Sequence, residues 1–372
     1  VVSGKDGIQV GTQKAWELCE KYNLPRMFFV TEMDIDDVSY RKVVEELTEL
    51  YGKKIAPLHM PIREEGKFVG YVNIVKQAGR RYIERGQKKE CPVPEYLQEY
   101  LEQYHETLME SVAEISEEFM DRYFAGEAFS VAEVSAALKM NISDGSIVPV
   151  CMGSTINIQG VANLLDDICG YFPSPDQKTC AGMNMKTNEI YQANYDFTKS
   201  AYVFKTIVDP FLGKYSLIKV CSGVIKGDDT LYNTGKETEE KLNKLYVLEG
   251  SKPIEVSELH AGDIGAIAKL NTVTTGDTLS TKNTPLLFGK TEFSVPYTYK
   301  RYKTVNKGDD DKVSQALSKM MQEDVTLKVV NDAQNRQTLL YGIGEQHLDI
   351  VVSKLKERYK VDVVLSEPKV PF

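Results

Sequence analysis

Apolar positions along the chain follow two periods, and the changes of period divide it into segments. Residues 12–22 carry a helix pattern and run into the apolar stretch Arg26-Met27-Phe28-Phe29-Val30. A second helical stretch sets Val43, Val44, Leu47 and Leu50 on one face. A buried-type run, Ile147-Val148-Pro149-Val150-Cys151-Met152, appears about 120 residues after the first and leads into a helix over 161–171 that stops at Phe172-Pro173-Ser174-Pro175. Strands of unbroken apolar character alternating with helices predict a parallel sheet with crossover helices.

Residues 61–145 interrupt that alternation and predict an inserted subdomain. Its centre reads as one long helix over 94–124, opened by Pro94 in the first turn and closed by Gly126. Tyr104, Leu108, Val112, Ile115 and Phe119 recur at steps of three or four and form its buried stripe. Glu102, Glu106, Glu110, Glu114, Glu117 and Asp121 make a second, acidic row at similar steps.

Beyond residue 177 the pattern turns to short strands over 201–208, 215–221 and 241–248. Turns punctuate them at Asp209-Pro210, Ser222-Gly223, Lys226-Gly227-Asp228, Ala261-Gly262-Asp263 and Thr275-Gly276-Asp277, which predicts a small antiparallel β-barrel over 177–289. Over 290–372 the order is strand 295–302, helix 312–321, strands 326–330 and 337–341, helix 345–356 and strand 361–365. That βαββαβ order predicts a ferredoxin-like α+β domain. The fold class is thus multidomain: α/β over 1–60 and 146–176, the insertion, a barrel, and an α+β unit.

Composition fits this reading: with 42% apolar and 27% charged residues the chain excludes wholly disordered and collagen-like classes. No apolar run approaches the roughly 18 residues of a membrane span. Cys19, Cys91, Cys151, Cys169, Cys180 and Cys221 show no CxxC spacing, so free thiols and a cytoplasmic location are expected. The net charge of −9 is local, since residues 91–145 hold twelve acidic side chains against two basic ones and the remainder sums to +1. Only the insertion is therefore a poor surface for RNA; its acidity suits a basic protein.

Complete catalytic motifs are absent. His59, His105, His260 and His347 show no metal-ligand spacing, and the chain holds no GxxxxGK[ST], GxSxG or GxGxxG segment. His347, in Gly344-Glu345-Gln346-His347, reads as a helix N-terminus or, alternatively, as a general base. Two loops follow parallel-type strands, where ligands of open α/β sheets collect. In Thr31-Glu32-Met33-Asp34, a carboxylate at the tip suits the two N–H donors of a guanine edge, which adenine lacks; the alternative is a plain helix cap. In Met152-Gly153-Ser154-Thr155, backbone N–H groups suit a ring carbonyl.

The order of the pieces carries more than any one of them. Val2-Ser3-Gly4-Lys5-Asp6-Gly7-Ile8-Gln9 and Leu24-Pro25-Arg26-Met27-Phe28-Phe29-Val30-Thr31-Glu32-Met33-Asp34 resemble the segment after the second switch and the guanine-specificity loop of translational GTPases. Cys151-Met152-Gly153-Ser154-Thr155 with Tyr171-Phe172-Pro173-Ser174-Pro175 is similar to the fifth GTPase motif and following helix of elongation factor G. Asp209-Pro210-Phe211-Leu212-Gly213-Lys214, Thr275-Gly276-Asp277-Thr278-Leu279, Lys312-Val313-Ser314-Gln315-Ala316-Leu317 and Gly342-Ile343-Gly344-Glu345-Gln346-His347-Leu348 continue the resemblance through its second and third domains.

The resemblance implies a piece of an elongation factor G-like GTPase cut at both ends, with the phosphate loop and switches before Val1 and further domains after Phe372. It implies guanine contacts at Asp34, Thr31, Glu32, Ser154 and Thr155, GTP or GDP with Mg²⁺ in the intact protein, and neither tight nucleotide binding nor hydrolysis by this monomeric piece alone. It departs from the family at Thr31 and Glu32, where Asn and Lys are usual, at Thr155, where Ala is usual, and at Gln346, where Leu is usual; a divergent paralogue is implied. The acidic row, through Glu110, Glu114 and Glu117 on one helix face, is implied to meet the stalk protein of the large ribosomal subunit, and the other domains ribosomal RNA. The alternative is a ribosome-binding or ribosome-protection factor whose nucleotide site has decayed.

Overall fold

The two apolar runs that bracket the insertion lie side by side. Strands β1 (Val2–Ser3), β2 (Phe28–Thr31), β3 (Ile55–Pro57) and β8 (Val148–Met152) form a parallel sheet in the order β1-β2-β8-β3. Successive residues of a strand face opposite sides, and here both sides are covered. Phe28, Val30, Val148, Val150 and Met152 enter one core with Val43, Val44 and Leu47 of helix α2 (Tyr40–Tyr51), against which Trp16 of helix α1 (Val10–Lys21) packs. Phe29 and Cys151 enter the other. Double coverage explains why these strands read as unbroken apolar runs. Leu50, expected on the buried face of α2, is 54% exposed; its neighbour Tyr51 stacks on Phe28 instead, with ring centroids 5.9 Å apart, and Tyr40 fills the packed face, its hydroxyl donating to the Val150 carbonyl at 3.1 Å.

The computed structural model describes residues 1–83, 87–209, 213–250 and 252–369. Residues Pro210, Phe211 and Leu212 of the Asp209–Lys214 turn lie outside the described residues, as do Val370, Pro371 and Phe372. Contacts divide the chain into two units, Val1–Pro173 and Ser174–Phe372.

Within the first unit the insertion opens with a four-stranded antiparallel meander: β4 (His59–Glu64), β5 (Lys67–Asn73), β6 (Ala78–Tyr82) and β7 (Lys88–Cys91). Glu65 (φ 49°) and Gly66 (φ 82°) supply the two left-handed residues of a tight hairpin turn. The meander and helices α3 (Glu95–Ala113), α4 (Glu117–Phe124) and α5 (Val131–Asp144) share one core around Ile62, Val72, Leu108, Val112 and Leu138. The expected single helix over 94–124 is thus two. Ser116 ends it, because its hydroxyl accepts from the Phe119 amide at 3.2 Å and starts α4. The break returns Phe119 to the core, where it stacks on Phe129 with ring centroids 5.0 Å apart.

In the second unit, an eight-stranded antiparallel sheet that includes Ser200–Asp209, Gly213–Ser222 and Ile264–Ala268 surrounds one core of Val203, Ile218, Leu231, Leu245, Ile267 and Leu279. The strand expected over 241–248 is two, Thr238–Lys241 and Leu245–Glu249. Between them Leu242 drops into the core and its amide bonds the Asp229 carbonyl at 2.8 Å, taking it out of the ladder. The last segment has strands Thr298–Thr304, Lys328–Asp332, Gln337–Gly342 and Val363–Ser366 with helices α7 (Asp310–Glu323) and α8 (Glu345–Tyr359). Its sheet is antiparallel and the first strand is central, between the third and the fourth. His347 is a joint rather than a base: Nδ1 accepts from the Ile343 amide at 3.1 Å, and Nε2 therefore donates to Asp324 at 3.0 Å. No described helix is long and apolar enough to cross a membrane.

Arg122 at the end of α4 ties this helix to α5 through Glu133, 2.8 Å away, and Glu133 also accepts from the Ser130 amide at 2.7 Å in a capping box. The Arg122 bond first, then the Ser130 bonds, hold the Glu133 carboxyl down at about 2. A carboxyl depressed in the folded state binds fewer protons than in the unfolded chain, so its stabilisation is complete above its ordinary range and lost as pH falls. Thermal midpoints measured between about pH 5 and about pH 2 should therefore fall more steeply for the parent than for Glu133→Gln. Equal slopes would mean that Glu133 does not couple α4 to α5.

Candidate functional site

Where β2 and β8 end, the two loops singled out from the sequence meet. Val30 pairs with Met152, and the pairing continues past the strands: the Gly153 amide donates to the Val30 carbonyl at 2.9 Å and the Met33 amide to the Gly153 carbonyl at 3.2 Å. Met33 is fully buried, so the loop 31–34 is anchored by its own centre. Arg63 closes it from the insertion, its guanidinium donating to the carbonyls of Met33 and Val38, both at 3.0 Å. Asp34 follows directly, half-buried, and its carboxylate has no hydrogen bond or ion pair among the described residues.

Glu32 stands at φ 65°, in the left-handed region, and its carboxylate accepts from the Ser3 hydroxyl and from the Lys5 amide at 3.5 Å. It is thereby tied to the turn after β1. Thr31 has its hydroxyl oxygen buried without a partner, an orphaned polar atom of the kind that costs about 1–3 kcal/mol. The Thr31 side chain thus pins nothing among the described residues, while its carbonyl accepts from the Gly4 amide at 3.1 Å.

In the second loop the expectation about backbone donors needs correction. Gly153 N–H is spent on Val30, and Ser154 N–H donates to the Gln159 carbonyl at 2.9 Å in a two-residue bridge that Gln159 N–H returns at 3.0 Å. The bridge forms because Gly160 adopts φ 81° and folds the loop back. Ser154 is fully buried, and its hydroxyl accepts from the Asn157 amide at 3.1 Å. Thr155, exposed at the loop tip, keeps an N–H with no acceptor among the described residues. Of the five residues named for guanine, Asp34 and Thr155 therefore present free groups, an acceptor and a donor, while Thr31, Glu32 and Ser154 are turned inward. A free carboxylate and a free N–H match the donors and the carbonyl of a guanine edge.

Sequence reasoning named Gly153 and Ser3 without their holding roles and did not name Arg63. Arg63 and Ser3 are distant in the chain and carry no local signal. Gly153 had a visible one, as a glycine between a buried strand and a polar loop.

The acidic row does not lie along one helix. Glu110 is in α3, Glu114 is the C-cap of α3, and Glu117 is the first residue of α4, so their spacing i, i+4, i+7 spans a turn. The cause is the Ser116 cap. All three remain exposed.

Comparison with known proteins agrees with this architecture in chain order. Residues 1–174 match the family model for the elongation factor Tu GTP binding domain, 198–282 that for elongation factor G domain 2, and 293–367 that for elongation factor G, domain III. A crystal structure of a protein from Thermus thermophilus superposes with TM-score 0.86 at 28% identity, over 100% of this chain and 53% of that one. The chain thus spans about half the length of that relative. It belongs to the elongation factor G-like translational GTPases.

The geometry at Gly153 is restrictive. A Cβ there would lie 2.3 Å from the Gln159 carbonyl oxygen and 2.7 Å from the Phe29 ring. Gly153→Ala should lower unfolding free energy in urea by about 1–3 kcal/mol, as overpacking does. A variant as stable as the parent would mean that the two loops are not packed as described.

Proposed function

We propose that this chain supplies the base-reading half of a guanine-nucleotide site, together with the second and third domains of a ribosome-associated factor. The single observation behind the reading is the pair of pinned loops that leaves Asp34 and Thr155 free beside each other's strands. Asp34 accepts from the guanine N1–H and amino group, and the Thr155 N–H donates to the ring carbonyl. Phosphates and Mg²⁺ are bound elsewhere in the whole protein, whose hydrolysis of GTP releases segments ordered by the γ-phosphate.

In domain terms, residues 1–60 and 146–176 form the GTPase part and 61–145 its inserted subdomain, 177–289 the translation-protein barrel and 290–372 the ferredoxin-like domain. The barrel and ferredoxin-like domains carry the change at the nucleotide to ribosomal RNA, in the cytoplasm. The second reading, a ribosome-binding or protection factor with a decayed nucleotide site, draws on the orphaned Thr31 hydroxyl and on Glu32 being tied to Ser3.

Calorimetry separates the two. The intact protein, with its phosphate-binding part, should bind GDP and GTP in preference to ATP, and Asp34→Ala in it should weaken guanine binding about ten- to a hundredfold, the loss of a charged hydrogen-bond acceptor. Equal affinity for ATP, or no effect at Asp34, would refute the first reading, and no binding of any nucleotide would favour the second.

The corner between α3 and α4 gathers Glu110, Glu114 and Glu117 in the most acidic part of the chain, and the partner this suits is the basic face of the ribosomal stalk protein. Replacing all three by Lys should weaken stalk binding in surface plasmon resonance, most at low salt, because exposed charges are screened within about 10 Å at 0.1 M ionic strength. Unchanged binding at low salt would exclude this corner.

A further inference from the structure

Away from the guanine loops, three side chains of metal-binding type converge inside the first unit. His59 begins β4, Cys151 lies in β8, and Asp167 projects from helix α6 (Val161–Tyr171). Their exposures are 3%, 1% and, for the Asp167 side chain, 12%. Cys151 Sγ lies 3.2 Å from Asp167 Oδ2, His59 Nδ1 lies 3.5 Å from the same oxygen, and all three ligand atoms fall within 4.8 Å of one another. None of the guanine-site contacts uses them.

A nucleophile is the wrong reading of this group. Asp167 stands between the thiol and the imidazole, so the imidazole is not placed to take the thiol proton. Burial pushes the Cys151 thiol up and away from thiolate. Burial also raises Asp167 to about 6 and, with Lys88 and Lys76, lowers His59 to about 3.

The separations fit a different chemistry. Zinc–ligand bonds of about 2.0–2.3 Å in a tetrahedron put the donor atoms about 3.3–3.6 Å apart, and the two closer separations are already 3.2 and 3.5 Å. One thiolate and one carboxylate around a divalent ion make a neutral centre, which suits a buried position where a lone charge does not. We propose that His59 Nδ1, Cys151 Sγ and Asp167 Oδ2 bind one divalent ion of the zinc class, with water in the fourth position.

Binding releases the thiol proton to solvent and shifts the imidazole proton from Nδ1 to Nε2. Nε2 then needs an acceptor, and it faces the Asn73 carboxamide at 3.2 Å, whose oxygen already accepts from the Lys76 amide at 2.8 Å. Asn73 is thus a positioning residue that must turn for the ion to seat. The ammonium groups of Lys76 and Lys88 lie close enough to act on His59 and Asp167, and Asp166 adds a negative charge. That surrounding positive charge disfavours hard ions held by charge alone, such as Ca²⁺ and Mg²⁺, and favours ions that gain from a thiolate.

The test is a titration of the reduced, chelator-stripped protein with Co²⁺ and then Zn²⁺. One equivalent of Co²⁺ should give a thiolate charge-transfer band and the intense visible bands of a tetrahedral site, and Zn²⁺ should displace it and raise the thermal midpoint. Cys151→Ser should abolish the charge-transfer band. Asp167→Asn should weaken binding at least about tenfold, and Asn73→Asp, which gives both the Lys76 amide and Nε2–H an acceptor, should tighten it. Absence of the band in the parent overturns the proposal, as does a band that persists in Cys151→Ser, since Cys19, Cys91, Cys169, Cys180 and Cys221 would then be its source. If circular dichroism shows Cys151→Ser unfolded, Asp167→Asn and His59→Gln decide, and unchanged affinity in both overturns it.

Discussion

Parallel pairing of Phe28–Val30 with Val150–Met152 fixes nearly everything that matters in the first unit. The two strands are adjacent in space and about 120 residues apart in the chain. Their register places Val30 opposite Met152, and one further step of the ladder carries it into the loops through the Gly153 and Met33 amides. A slip by one residue would turn every side chain of a strand to the other face, exchanging Phe29 and Cys151 for Phe28, Val30 and Val150 in cores of different shape. Each buried side chain is worth about 1.5–3 kcal/mol, so the register, and with it the meeting of the loops, is set by packing. The loops then need little of their own beyond Gly153 and the Arg63 bonds.

A comparable economy holds inside the second unit. Val208, in the strand Ser200–Asp209 beyond the residues Ala201 and Tyr202 that pair with Thr278–Ser280, gives its amide to Glu323 of α7 at 2.7 Å and its carbonyl to Arg358 of α8, while Arg358 also pairs with Glu323 at 3.0 Å. One ion pair thereby satisfies both backbone groups of a strand edge that would otherwise lie open. A displacement of the sheet edge must move α7 and α8 or break that pair, which gives the proposed relay from barrel to ferredoxin-like domain a physical carrier.

Legibility in the sequence tracked locality. The strands of the parallel sheet were readable because burial on both faces makes them uniformly apolar. The meander over residues 59–91 was not, since β6 and β7 carry Arg80, Arg81, Lys88, Lys89 and Glu90 and show no clean alternation. The helix break at Ser116 was hidden because the stripe Tyr104, Leu108, Val112, Ile115, Phe119 stays in phase across it, so periodicity outweighed a cap residue. At the site, Asp34 and Thr155 were readable as loop positions, but the state of their neighbours was not. Whether an N–H is free depends on partners such as Gln159 and Val30, and the Ser3–Glu32 contact joins residues 29 apart. Side-chain clusters drawn from three elements, as at His59, Cys151 and Asp167, leave no spacing signature at all.

As proposed, two loops held in register by the parallel sheet read guanine as one unit. Amide hydrogen exchange on the intact protein, with and without nucleotide, reports on both loops at once. On adding GDP, protection should rise together in residues 31–35 and 153–160, with Thr155 among the amides that slow, and ADP at the same concentration should leave both segments unchanged. Protection confined to one loop, or equal protection by ADP, would contradict the account.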